Sequence, residues 1–286
     1  MANLKEIRNR ITSIGSTMQI TSAMKMVSAA KLKKAQDAIT AMRPYSSKLT
    51  ELLQNLSATL DSDAGGDFSK QREISKVLLV IVTSNRGLCG GFNSSVIKKT
   101  VKNIEDNYQD VHVDLLTIGK KGNDILSKTY PVIETRNDVF DNLTFDYVAE
   151  VAEKMMNLYV DGTYDKIEIV YNQFKNAATQ IPQVEQFLPI KPVEGDTNTN
   201  ADYIFEPSKE EIVLALIPKS LKTQLYKSVR DSFAAEHGAR MTAMHKATDN
   251  ATELRDDLKL TYNKARQAAI TNEILEIVGG AEALKN

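Results

Sequence analysis

The chain has 286 residues, a formal net charge of −1, one cysteine and no tryptophan. That length suits one or two domains, and the near-neutral charge leaves any electrostatic partner to be met by a local patch. A single thiol, Cys89, excludes a disulfide framework and points to a reducing compartment, and the scarcity of aromatic residues fits long helices better than an all-β fold.

Met1 to Arg10 is charged and amphipathic with no apolar centre, which reads as neither a secretory signal nor a membrane span. The expectation is a soluble protein whose membrane association is indirect. From Leu4 the apolar positions recur in alternating three- and four-residue steps: Leu4, Ile7, Ile11, Ile14 and Met18. The register continues through Thr21, Lys25 and Ser28 to Leu32, Ala35, Ile39, Met42, Ser46, Leu49, Leu53, Leu56 and Leu60. A sustained seven-residue repeat is the seam of a coiled coil, and Pro44 within it should kink the helix or cost about 3 kcal/mol.

Asp61 to Glu73 is polar and glycine-containing and reads as a linker. The period then changes. Val77 to Val82 is a continuous β-branched and leucine run, as for a strand buried on both faces. It leads through the turn SNRGLCGGFN into a helical stretch from Ser94 to Asn107. Val111 to Ile118 follows as a second strand, with Gly119 and Gly122 at the next turn and a short helix behind it. Thr144 to Val160 reads as a helix, and Lys166 to Tyr171 and Gln183 to Leu188 as strands, so a largely parallel α/β layer is expected. Pro192 to Asp202 is a polar, acidic loop, Tyr203 to Phe205 a short strand, and Ser208 with Glu211 a capping box.

From Lys219 to Leu284 there is no proline, and up to Val278 the only glycine is Gly238. Roughly 60 residues can therefore form one helix about 90 Å long. Its expected seam is Met244, Ala247, Ala251, Leu254, Leu258, Thr261, Ala265, Ala268, Asn272 and Leu275, mostly small residues. Two long terminal helices with narrow seams most simply pair with each other, antiparallel. The expected fold is thus α/β: a Rossmann-like domain (74–206) inserted between a helix over 1–60 and another over 208–286.

Few residues offer chemistry. Gly87, Gly90 and Gly91 lie between strand and helix, where phosphates bind in doubly wound folds, but their spacing matches neither the dinucleotide fingerprint nor a P-loop. A tight turn needing positive φ is the plainer reading, with a phosphate site as its alternative. Cys89 reads as a small half-buried residue or, alternatively, a reactive thiol. His112, His237 and His245 lack metal-ligand spacing, and no catalytic set or metal site is expected. Adjacent acids such as Asp256 and Asp257, or Glu210 and Glu211, point apart on a helix and read as solvated faces.

Charge says more. Between Met1 and Lys48 stand Lys5, Arg8, Arg10, Lys25, Lys31, Lys33, Lys34, Arg43 and Lys48 against only Glu6 and Asp37. Such an excess serves solubility or an acidic protein partner, and nucleic acid is disfavoured because aromatic residues are not interleaved. Near the C-terminus Ile270, Ile274, Leu275, Ile277 and Val278 cover more of the helix than a two-helix seam needs. They either enter an apolar socket on another protein or pack on the N-terminal helix.

Three stretches together carry a resemblance: ITSAMKMVSAAKL, SNRGLCGGFN, and ATDNATELRDDLKLTYNKARQAAITNEILEIVGGAEAL. In this order, and over essentially the whole chain, they resemble the gamma subunit of F-type ATP synthase. The resemblance implies an antiparallel coiled-coil shaft with an α/β domain at its base, no active site, and no cofactor. It implies partners: three alpha and three beta subunits, an epsilon subunit and the ring of c subunits, with no nucleic acid and the membrane met only through that ring. The implied location is the cytoplasmic face of a bacterial cell membrane.

Carried over by residue, Arg266 and Gln267 match positions that hydrogen-bond to a catch loop of beta. Ile270 to Leu284, with Ile270, Ile274, Leu275, Ile277 and Val278, match the tip inside an apolar bearing. Met24, Lys25, Lys31, Lys33 and Lys34 match the face toward an acidic lever of beta, although Lys25 stands where some relatives have an acid. Tyr203, Phe205 and Glu206 fall near the foot that meets the c-ring and epsilon. The rival readings are a coiled-coil scaffold and a nucleotide-binding α/β protein.

Overall fold

The computed structural model describes residues 4–57, 66–190 and 209–283. Two long helices bound the chain, α1 (Leu4–Ser57) and α5 (Lys209–Ala283). The chain divides into two compact units, Ala29–Arg240 and residues 4–28 with 241–283, so each long helix contributes to both.

Within Ala29–Arg240 the elements run β1 (Lys76–Val82), α2 (Phe92–Asn107), β2 (His112–Ile118), α3 (Lys120–Leu126) and β3 (Val132–Arg136). They continue with α4 (Phe145–Val160), β4 (Lys166–Phe174) and β5 (Gln180–Leu188). The sheet order is β3-β2-β1-β4-β5, with β1 to β4 parallel and β5 antiparallel on β4. All six residues from Val77 to Val82 are fully buried because β1 is central and covered on both faces. Leu78, Val80 and Val82 face α4 and the Ile217–Val229 stretch of α5, whereas Val77, Leu79 and Ile81 face α2. Burying each such side chain contributes about 1.5–3 kcal/mol.

Local chemistry explains the boundaries. Thr144 caps α4, its hydroxyl accepting from the Tyr147 N–H. Gly119 adopts φ 102 where β2 turns into α3, and a Cβ there would stand 2.1 Å from the Thr83 carbonyl oxygen. The Asp165 carboxylate accepts from the Ser75 and Lys76 N–H groups and the Ser75 hydroxyl, pinning the start of β1. Burial pushes its pKa up, but these three bonds outweigh that and hold it below the usual carboxylate value.

Several expectations are revised. The final helix starts at Lys209 and runs through Pro218 without a break. α1 likewise runs through Pro44, where the orphaned carbonyl of Thr40 lies on an exposed turn open to water. β3 is an unexpected edge strand, and β4 and β5 are longer than their apolar runs because they form a hairpin past the core. The expected strand at Tyr203 to Phe205, the loop from Pro192, Ser208 of the capping box and Leu60 of the seam lie outside the described residues.

In the second unit, residues 4–28 and 241–283 pair antiparallel. Arg8 donates to the Tyr262 hydroxyl at 2.7 Å, Thr252 donates to the Met18 sulfur at 3.3 Å, and Thr21 and Thr248 share a hydrogen bond of 2.8 Å. As one partner's number rises the other's falls by nearly the same amount, which is the mark of an antiparallel pair. In this unit the α1 seam has the expected register, with Ile7, Thr21 and Ser28 buried. The α5 seam does not. Met244, Ala251, Leu258 and Ala265 turn inward as expected, but Leu254 is 51% exposed and Thr261, Ala268, Asn272 and Leu275 are also exposed. Their places are taken one residue later by Arg255, Tyr262 and Ala269. Arg255 reaches Met18 and Tyr262 reaches Arg8, so long amphipathic side chains cover the facing helix where small residues cannot.

Candidate partner-binding surfaces

The apolar group near the end of α5 is uncovered. Ile270, Ile274, Leu275, Ile277 and Val278 are between 49% and 65% exposed. Packing on the described part of α1 is therefore not their role here. Gathered on nine residues, they form an exposed apolar surface. Leu284 lies outside the described residues. Arg266 and Gln267, just before this group, are exposed and free to bond outward.

The five residues expected to face an acidic partner are not alike. Met24 is half-buried. Lys25 is also half-buried, with its ammonium 3.4 Å from His245 Nδ1 of the same chain. Lys33 pairs with Asp37 at 3.0 Å, an exposed contact worth little to stability, while Lys31 and Lys34 are exposed. Tyr203, Phe205 and Glu206 lie outside the described residues.

The glycine turn is tied to α5 through its carbonyl groups. Positive φ falls on Leu88 (61°) and Gly90 (58°), and not on Gly87 or Gly91. The Arg240 guanidinium donates to the carbonyl oxygens of Arg86 at 2.9 Å and Gly87 at 3.3 Å. A phosphate cradle presents N–H groups to an anion; this turn presents carbonyls to a cation. Arg240 is in turn held by Glu236 at 2.5 Å, both side chains buried. Burial pushes the Glu236 carboxyl up, with Arg240 opposing. Beneath the turn, Cys89 and Phe92 pack on Ala235 and Ala239 of α5. Burial pushes the Cys89 thiol pKa up, so the group is a buried thiol, not a reactive thiolate.

The histidines do different things. His112 lies 3.1 Å from Asp114, whose other oxygen accepts from Tyr164. His237 is buried edge-on against Phe233 with neither ring nitrogen bonded to any described residue, and burial, with Arg240 and Lys31 nearby, lowers its pKa to about 3. Among the described residues no group of three or more His, Cys, Asp or Glu is placed to hold a metal ion. No described helix is long and apolar enough to cross a membrane. The Glu236–Arg240 clip escaped the sequence reading, although an acid four residues before an arginine was its available signal.

With this geometry in hand, comparison with known proteins is direct. The ATP synthase family profile matches residues 3–284. The chain is 76% identical to the ATP synthase gamma chain of Flavobacterium psychrophilum, over the full length of both. It is 53% identical to that of Cytophaga hutchinsonii, again over the full length of both. The chain belongs to the ATP synthase gamma-chain family. Among solved structures it is similar to a chain of the central stalk and c-ring of the Tetrahymena thermophila mitochondrial ATP synthase. That match has 26% identity and a TM-score of 0.61, over 80% of this chain and 99% of that one. A rotor chain of the Euglena gracilis mitochondrial enzyme shares the fold, with 23% identity and a TM-score of 0.68 over 93% and 98% of the two chains. The α/β fold with long terminal helices is that of a stalk subunit. Membership of this family assigns the chain no catalytic role of its own.

Proposed function

We propose that the chain is the central rotor shaft of an F-type ATP synthase, turned by proton-driven rotation of a c-subunit ring. Its asymmetric faces push three beta subunits in turn through their nucleotide states, in a ring completed by three alpha subunits. A rotating rod does this only if its faces have different contact free energies with each conformer of beta. The observation that carries the reading is the uncovered apolar group from Ile270 to Val278, which suits burial inside a bearing of other subunits.

In this reading residues 1–60 and 208–286 form the shaft and 74–206 the foot. Arg266 and Gln267 bond to the catch loop of beta, and Met24, Lys25, Lys31, Lys33 and Lys34 lie toward its acidic lever. Tyr203, Phe205 and Glu206 lie at the foot toward epsilon and the c-ring. The chain uses no cofactor and no metal, binds no nucleic acid, and meets the membrane only through the c-ring, on the cytoplasmic face of a bacterial cell. Flavobacterium and Cytophaga as sources of similar chains favour that setting.

The test is co-expression with the alpha and beta subunits of the same organism, followed by native mass spectrometry and an ATPase assay. One copy of the chain per six-membered ring is expected, with activity lost on deleting the residues after Ala265. A chain that stays apart from the ring would defeat the reading. Micromolar ATP binding by the chain alone would instead favour the nucleotide-binding reading, which the carbonyl-lined turn disfavours.

A further inference from the structure

We infer that the rim at the carboxyl ends of the parallel strands, where doubly wound domains hold their ligands, is in this chain a collar for α5, and that Arg240 is the key that locks the helix in it. From Ile217 to Val229 α5 lies on the sheet by one face, since Ile217, Leu221, Leu225 and Val229 repeat every four residues. Further along this changes. Ala234 to Arg240 are seven consecutive buried residues, nearly two turns of helix. A helix buried all round is enclosed rather than laid on a surface.

Three connections that follow parallel strands supply the enclosure. The turn after β1 packs Cys89 and Phe92 on Ala235 and Ala239. The loop after β3 accepts from Arg230 at the Leu143 carbonyl, 2.8 Å away, and stacks Phe140 on Phe233 with ring centres 6.0 Å apart. The hairpin after β4 comes closest. A Cβ on Gly238 would stand 3.1 Å from the Ala177 Cα and 3.3 Å from the Phe174 ring, so the hairpin would have to give way to any side chain there. With about 100° per residue, Ala239, Arg230 and Gly238 point to three different sides of α5. The strands β1 and β4 are the neighbours at which the order β3-β2-β1-β4-β5 reverses, which is where open α/β sheets form their ligand crevice. Here that crevice receives α5.

Apolar contact is non-directional and holds a helix without fixing its angle; a buried directional bond fixes it. The Arg240 guanidinium supplies such bonds. One of its terminal nitrogens donates to Glu236 on its own helix, and the other to the Arg86 and Gly87 carbonyls of the β1 turn. The Arg240 side chain is 8% exposed and that of Glu236 9%, so the guanidinium has given up water and depends on these partners. It reaches both because its donors form a rigid fork, whereas a lysine ammonium in its place meets only one of them.

Torque entering through the α/β domain would pass to α5 at this collar. That consequence rests on the rotor reading; the collar itself does not. Hydrogen exchange on the full chain tests the collar. Arg240→Lys keeps a cation for Glu236 and releases the turn. It should speed exchange about five- to tenfold over residues 84–93, where the Ser84 and Phe92 N–H groups are bonded within the turn, and leave residues 112–118 of β2 unchanged. Gly238→Ala should speed exchange over residues 174–180 by pushing on the hairpin. Unchanged exchange over 84–93 in Arg240→Lys, or an equal rise over 84–93 and 112–118, would overturn the key and leave Arg240 a contributor to general stability alone. Unchanged exchange over 174–180 in Gly238→Ala would overturn the collar. In the assembled complex Arg240→Lys should also lower the number of protons pumped per ATP hydrolysed, and an unchanged ratio would contradict the torque path. If the chain fails to join the ring, the rotor reading falls, and exchange measured on the chain alone still decides the collar.

Discussion

Replacing His237 with leucine removes a buried imidazole that has no hydrogen-bond partner at either nitrogen among the described residues. Its pKa is lowered from 6.5 to about 3, chiefly by burial, with the positive charges of Arg240 and Lys31 adding to the effect. The unfolded chain therefore takes up a proton below about pH 6.5, while the folded chain stays neutral there. The stability this group contributes is present above pH 6.5 and is lost as the pH falls toward 3. The loss is about 1.4 kcal/mol per pH unit, or about 3 kcal/mol by pH 4.5. Burial of the neighbouring Glu236 raises its carboxyl, which gives stability with the opposite pH dependence, so parent and variant must be compared at each pH. Urea denaturation at several pH values between about 7.5 and 4.5 provides the assay, read by far-ultraviolet circular dichroism. His237→Leu should be more stable than the parent by about 1–3 kcal/mol at neutral pH, since the unpaired N–H is gone. The advantage should widen steadily as the pH falls. A constant difference across the range, or a variant less stable than the parent throughout, would refute the burial argument.

Other consequences follow from single contacts. Gly119→Ala should cost more than about 3 kcal/mol and yield little soluble protein, because a Cβ there meets the Thr83 carbonyl at 2.1 Å and φ is 102; solubility and thermal melting check this. Arg240→Ala should cost about 3–5 kcal/mol by leaving Glu236 buried and unpaired, and adding Glu236→Ala should recover part of it in a double-mutant cycle. Ile274→Asp and Leu275→Asp together should leave the melting temperature of the chain alone unchanged within a degree or so, since both side chains are exposed. The same pair should abolish ATP-driven proton pumping by the reconstituted complex. Asp165→Ala, which removes three hydrogen bonds at the start of β1, should cost about 2–3 kcal/mol by urea denaturation.

What could be read from the sequence followed from period and punctuation. The α1 seam was readable within residues 4–28 because its apolar residues are large and evenly spaced. β1 was readable because a strand buried on both faces has no polar interruption. The α5 seam was readable at Met244, Ala251, Leu258 and Ala265. Elsewhere the even three- and four-residue steps favoured Leu254 over Arg255 and Thr261 over Tyr262, whereas length and an amphipathic stem decided which side chain lies on the facing helix. β3 was missed because its sequence, VIETR, is five residues of half-buried edge strand with no continuous apolar run. Positive φ at Leu88 gave no signal, since glycines stand on either side of it, and only the bonds of Arg240 to the turn show what the turn is for. The apolar group from Ile270 was visible as a surplus over seam requirements; its exposure became visible only in the structure.

The rotor reading is tested most directly by watching the chain turn. The alpha–beta ring carrying this chain would be fixed to a surface and a bead attached to the α/β domain, away from α5. On adding ATP the bead should rotate in one direction and stop when ATP is exhausted, and deleting the residues after Ala265 should abolish or weaken the rotation. A bead that stays fixed while the ring hydrolyses ATP at full rate would contradict the central claim, leaving a gamma-family fold bound to the ring but not driven by it.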